Sequence, residues 1–194
     1  MTADLKAQKA VLRKRIRAQL GKISLTARKM ASLELRATLK EQTFYQIATA
    51  VLFFAPLPDE IDVWPLLEES LAAGKIAALP QFDTATQNYV ARRVQSPQSD
   101  LMAGPFWIPE PKPTCPEIPM NALKLVLVPG VAFDLCGRRL GRGRGFFDRM
   151  LAEASSVKCG IAFDEQIVPA IPVEAHDARM DFILTPTRCV RIAG

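Results

Sequence analysis

A chain of 194 residues, about half of them hydrophobic, is long enough for one domain with a proper core. No apolar run approaches the ~20 residues of a membrane span, and MTADLKAQKAVLRKR at the N-terminus has no apolar signal region, so a cytoplasmic protein is expected. The net charge of +5 is uneven: residues 1–42 hold eleven Lys/Arg against three Asp/Glu (+8), and the rest of the chain stands at −3.

A basic leading segment on a mildly acidic body suits an anionic partner: nucleic acid, a membrane surface or a phosphate-bearing ligand. A plain charge-rich surface helix competes with that reading. Cys115, Cys136, Cys159 and Cys189 are widely spaced with no CxxC pair, which fits reduced thiols better than zinc ligands or disulfides.

In chain order, residues 3–20 and 25–41 read as two helices. At ~100° per residue, Leu5, Leu12, Ile16 and Leu20 form one stripe, and Lys6, Lys9, Arg13 and Arg17 the adjoining one. Ser24 is placed to cap the second helix. Residues 47–55 form an apolar run broken only by Thr49, as in a buried parallel strand. Residues 62–73 read as a helix stopped by Gly74, and residues 75–80 and 89–94 as strands. Seven prolines between Pro97 and Pro119 rule out regular structure across that span. The adjacent Phe106 and Trp107 suit an ordered lid or pocket wall better than a linker. Strands at 125–128, 158–163, 182–185 and 188–192 and a helix at 146–154 complete the pattern.

Alternating strands and helices predict a single three-layer α/β domain with a mostly parallel sheet. Ligands of such sheets bind at the carboxyl ends of strands, which singles out residues 56–62, 130–145 and 164–180. The second of these is the most informative. In Gly141-Arg142-Gly143-Arg144-Gly145, three glycines spaced by two leave the amides exposed, and a helix opens directly after them. The free N–H groups of that helix favour an anion. Arg139, Arg142 and Arg144 add positive charge, and Asp148 supplies a carboxylate suited to a metal. The loop is neither a Walker A sequence nor a Rossmann fingerprint. A flexible RNA-binding Gly/Arg segment and a solvated loop remain alternatives.

Asp59, Glu60 and Asp62 crowd a helix start. They suit either dipole complementation or hydrogen bonding to amino donors of a substrate. His176 is the only histidine and lacks a nucleophile nearby in sequence. Asp177 beside it suits a second oxygen ligand with Asp148, since magnesium takes one or two carboxylates and fills its shell with phosphate and water.

These pieces run in order through the chain: KAVLRK, PDEID, FWIPEP, LVPGVAFDLCGRRLGRGRGFFDR and PVEAHDARMD. Together they resemble the 5-formyltetrahydrofolate cyclo-ligase (5,10-methenyltetrahydrofolate synthetase) family. The resemblance implies a fold like that of ribose-5-phosphate isomerase and CoA transferases, and an ATP- and Mg2+-dependent closure of 5-formyltetrahydrofolate to the 5,10-methenyl form. It assigns Lys9, Arg13 and Arg139, Leu140, Gly141, Arg142, Gly143, Arg144, Gly145, Phe146 and Phe147 to ATP. The stretch Arg142 to Phe146 also approaches the folate. Ala55, Glu60 and Trp107 would contact the folate, and Asp148 and Asp177 would hold the metal. Arg142 and Asp148 carry the catalytic expectation. The family usually has Tyr-Tyr where this chain has Phe146-Phe147, so two hydroxyls are lost. A monomer without nucleic acid or membrane partners is implied. A nucleic-acid-binding module built on the basic helix and the Gly/Arg loop is the competing expectation.

Overall fold

The computed structural model describes residues 3–143, 145–152, 154–172 and 178–193, with the backbone alone for Ala3, Phe106 and Phe146. Arg144, His176 and Asp177 lie outside the described residues. The first elements are helices α1 (Ala3–Leu20), α2 (Leu25–Glu41) and α3 (Thr43–Gln46), strand β1 (Ala50–Leu52), helix α4 (Trp64–Ala72), and strands β2 (Ile76–Asp83) and β3 (Asn88–Val94). Then come α5 (Pro97–Asp100), β4 (Leu101–Ala103), β5 (Pro109–Pro111), β6 (Leu125–Pro129), β7 (Ala132–Asp134) and β8 (Arg139–Leu140). The chain ends with α6 (Phe146–Ala152), β9 (Val157–Ile161), β10 (Ile167–Val168), β11 (Phe182–Thr185) and β12 (Arg188–Arg191).

Seven strands form the main sheet in the order β12-β11-β9-β6-β1-β2-β3. The inner five are parallel, and each edge strand is antiparallel to its neighbour. Alternate residues of the strands face two separate cores, as the strand period requires. Val51, Phe53, Leu79 and Leu127 pack with Leu12, Ile16, Leu35 and Leu66 of the N-terminal helices and α4. Leu52, Ala78, Val126 and Val128 pack with Met150 and Leu151 of α6. Helices therefore cover both faces, as expected for a mostly parallel sheet. Each fully buried Leu or Phe contributes roughly 1.5–3 kcal/mol.

Ser24 caps α2 as expected, accepting from the Ala27 amide at 3.2 Å. The apolar stripe of α1 is buried at Leu12, Ile16 and Leu20. Helix α4 starts two residues later than expected, because Pro65 sits in its first turn and the Asp62 carboxylate accepts from the Trp64 amide at 3.0 Å.

Two expectations need correction. The apolar run 47–55 yields only a three-residue strand. Ile47 is the exposed end of α3, and Phe53 adds one more bond to the ladder through its amide on the Ala78 carbonyl (2.8 Å). The run thus reports burial more than ladder length. The proline-rich segment is more regular than its composition suggests: β4 and β5 form an antiparallel ribbon, with Met102 opposite Glu110. Pro109 and Pro111 alternate with Glu110 and Lys112, and it is the Lys112 amide that donates to Asp100 O, at 2.8 Å. A two-stranded ribbon asks for amides only at every second residue, so both prolines are tolerated.

A small second sheet, β10-β7-β8, was not legible in the sequence. Asp134, fully buried at the end of β7, organises it. Its carboxylate accepts from the amides of Cys136 (3.0 Å), Arg138 (3.1 Å) and Ile171 (2.9 Å). One side chain thereby shapes the turn leading to the glycine loop and holds the segment after β10 against it. Asp134→Ala strands these donors and is expected to cost about 2–4 kcal/mol of stability. Urea unfolding checks this, with Asp134→Asn retaining part of the loss.

Candidate active site

The order of the main sheet turns back at its middle. From β1 the chain crosses to β2 on one side, then returns to place β6 on the other. Loops leaving neighbouring strands in opposite directions open a crevice at their carboxyl ends. A cavity of about 770 Å³ lies there, reached by Phe54 and Ala55 after β1 and by Pro129 and Gly130 at the end of β6. Helix α1 supplies Lys6, Lys9 and Arg13, the glycine loop supplies Gly141 to Gly143, and α6 supplies Phe147 and Asp148. The opposite wall is Pro80 and Tyr89 of the β2–β3 hairpin with Ile108 to Glu110 of the proline-rich arm.

One side of this cavity is cationic. The Arg139 side chain is 4% exposed; it donates to the Pro129 carbonyl at 3.1 Å, pairs with Asp148, and sits 5.7 Å from the centre of the Phe147 ring. Its buried Nε has no hydrogen-bond partner among the described residues. Arg13 reaches from α1 and donates through Nε to the Gly141 carbonyl at 2.8 Å, tying the helix to the loop. Gly143 (φ +107°) and Gly145 (φ +68°) adopt conformations that side chains strain, so the loop's path requires glycine at both. Burial, and then Arg17, lower the Arg13 pKa from its ordinary value, yet arginine stays charged near neutrality.

The other side holds a buried carboxylate. Glu60 accepts from the Leu57 amide at 3.0 Å through Oε2, and its side chain is 8% exposed. Its Oε1 accepts from Arg142 Nε at 3.1 Å and Nη2 at 2.8 Å, and the same Nη2 reaches Asp59 at 2.7 Å. Burial pushes the Glu60 pKa up, with Arg142 chief among the groups pulling it back.

The structure thus gathers Lys9, Arg13, Ala55, Glu60, Arg139, Leu140, Gly141, Arg142, Gly143, Gly145, Phe147 and Asp148 around one cavity. It does not bring Trp107 there: the indole is 89% exposed, on a residue with φ +62°, although its neighbours Ile108 and Pro109 line the wall. Arg144 and Asp177 cannot be placed, being outside the described residues, and for Phe146 only the backbone can. Among the described residues no cluster of three His, Cys, Asp or Glu could cage a metal by itself. A lone Asp148 still fits magnesium, which takes one or two carboxylates and completes its shell with phosphate and water.

Residues 5–186 match the model of the 5-formyltetrahydrofolate cyclo-ligase family. The chain belongs to that family. The cyclo-ligase of Escherichia coli is 32% identical over 171 residues, spanning 85% of this chain and 94% of that protein. The mouse cyclo-ligase is 28% identical over 184 residues, covering 89% and 91%. The solution structure of Aquifex aeolicus 5,10-methenyltetrahydrofolate synthetase matches with a TM-score of 0.87 at 31% identity, covering 96% of this chain and 93% of that one. The Mycoplasma pneumoniae synthetase, at 19% identity and a TM-score of 0.74 over 92% and 98% of the two chains, shares the fold.

Within this cyclo-ligase fold, the cavity contains a second buried carboxyl that sequence reasoning missed. Glu110 is 4% exposed and accepts from the Phe82 amide at 3.0 Å, and the Tyr89 side chain hydrogen-bonds it as well. It packs against Gly104, where a Cβ would lie 2.6 Å from its carboxyl carbon. The signal was an acid set between two prolines in FWIPEP, where charge has no solvation reason to sit.

Burial raises the Glu110 pKa, outweighing those two hydrogen bonds. The folded protein then holds this proton more tightly than the unfolded chain. Stability falls as pH rises from the ordinary carboxyl range through the raised value. Glu110→Gln keeps an acceptor for Phe82 and removes the charge. Its stability relative to wild type is expected to be higher at about pH 7 than at about pH 4, as read from urea midpoints at both.

Proposed function

We propose that this protein converts 5-formyltetrahydrofolate and ATP to 5,10-methenyltetrahydrofolate, ADP and phosphate, assisted by Mg2+. The observation that carries the reading is one cavity with an arginine–glycine loop along one wall, a buried acceptor carboxylate on the other, and Arg142 between them. The names of the relatives point to the same folate chemistry.

In this reading the polyphosphate lies against Lys9, Arg13 and the amides of residues 141–145. Glu60 accepts hydrogen bonds from the amino and ring N–H groups of the pterin, with Ala55 beside it. The formyl oxygen attacks the γ-phosphate and ADP leaves. The second folate nitrogen then closes on the activated carbon, its N–H proton is lost, and phosphate departs. No side chain needs to act as a nucleophile. The protein aligns the two ligands and neutralises charge as it shifts between oxygens, the dominant contributions in phosphoryl transfer. Asp148 with Asp177 would hold magnesium, which supplies further neutralisation of the phosphate oxygens. Trp107 would reach the folate only by movement of the turn that carries it. The same reading takes residues 1–194 as one domain of the ribose-5-phosphate isomerase and CoA transferase type, working as a cytoplasmic monomer without nucleic-acid partners. It is supported by both core clusters packing on a single sheet and by Lys9 and Arg13 lining the cavity.

The experiment is absorbance in the methenyl-folate band after mixing protein, 5-formyltetrahydrofolate and Mg-ATP. ATP-dependent growth is expected. Arg142→Ala and Asp148→Asn should each lower kcat by about 100-fold or more while the unfolding transition remains cooperative. Full turnover in both variants would overturn the site assignment.

A further inference from the structure

Arg142 serves two sides of the cavity with one guanidinium. In the structure it is committed to acids: Nε and Nη2 are used on Glu60 Oε1, and Nη2 also on Asp59. The partners lie 82 and 83 residues away in sequence, so the contact belongs to the folded cavity rather than to local chain geometry. Glu60 offers Oε2 to the Leu57 amide and Oε1 to Arg142, leaving it preoccupied on both oxygens. A ligand presenting paired N–H donors must displace Arg142 from Oε1 to obtain a two-pronged bond. A phosphate arriving at the glycine loop draws the same guanidinium the other way, since a fork of donors suits phosphate as well as carboxylate. Asp59 adds a second acceptor to the resting contact. Its side chain is 35% exposed, and it is not among the residues lining the cavity.

We propose that Asp59 is a positioning residue: with Glu60 it holds Arg142 away from the nucleotide phosphates in the ligand-free protein. Release of that contact couples the binding of a nucleoside triphosphate to that of a pterin-type substrate. The inference rests on the functional reading above and deepens it. Either ligand, by drawing Arg142 off Oε1 or by taking its place there, lowers the cost of binding the other. Such coupling is reciprocal. Its size is set by what the contact holds back. The partly exposed Asp59–Arg142 arm is screened by solvent.

The test is calorimetric titration of wild type and Asp59→Asn with a non-hydrolysable Mg-ATP analogue and with 5-formyltetrahydrofolate, each alone and with the other saturating. In wild type each ligand should tighten the other by the same factor. In Asp59→Asn each ligand alone should bind about two- to fivefold tighter, with the mutual enhancement shrinking to match. Asp59→Glu should return both towards wild type. Independent binding in wild type would overturn the proposal, as would unchanged or weaker single-ligand affinities in Asp59→Asn. Weaker binding of both ligands would identify Asp59 as a plain pin for the loop. Failure of wild type to bind the folate at all would instead sink the functional reading, and the proposal with it.

Discussion

The arrangement of the site depends on one buried cation. The Arg139 guanidinium sits where the end of β6, the β7–β8 hairpin and α6 converge, donating to the Pro129 carbonyl, paired with Asp148 and flanked by Phe147. A charge taken this far from water must be paired and hydrogen-bonded. Those requirements fix how the hairpin and the helix stand relative to the sheet. The glycine loop spans the gap between them, and Gly141, Arg142, Gly143 and Gly145 line the cavity.

The three charged contacts around the cavity have different characters. Arg139–Asp148 is largely enclosed, so removing one partner leaves an uncompensated charge. Arg13 donates to a neutral carbonyl and keeps its full charge for a ligand. Arg142 is partly exposed and joins the buried Glu60 to the partly exposed Asp59, and the Asp59 arm is screened by solvent. The gradient runs from an enclosed cation to a partly exposed one.

Much of this was legible in order along the chain. The stripe of Leu12, Ile16 and Leu20 identified the buried face of α1, and its neighbouring stripe located Lys9 and Arg13, because helix periodicity is local information. The spacing of Gly141, Gly143 and Gly145 signalled close backbone approach for the same reason. Pairing across distance was not legible. Nothing near Arg142 names Glu60 as its partner, and nothing near Asp134 indicates the Ile171 amide. The ribbon of β4 and β5 was hidden because proline content suggests irregularity. Only the register, with both prolines at positions that need no amide, reveals how a strand survives there. Asp177 lies outside the described residues, so the second metal ligand rests on resemblance.

Helix α1 packs on residues 164–166, and Arg13 bonds a carbonyl 128 residues further along. During synthesis α1 therefore finds cover for its apolar stripe in part on α2 and α4, but Arg13 and the face that meets residues 164–166 must wait for most of the chain. Contacts of such separation close slowly. The cationic wall of the cavity is completed only once the chain has been made as far as Asp148, so a shorter nascent chain carries its basic helix without a site to serve.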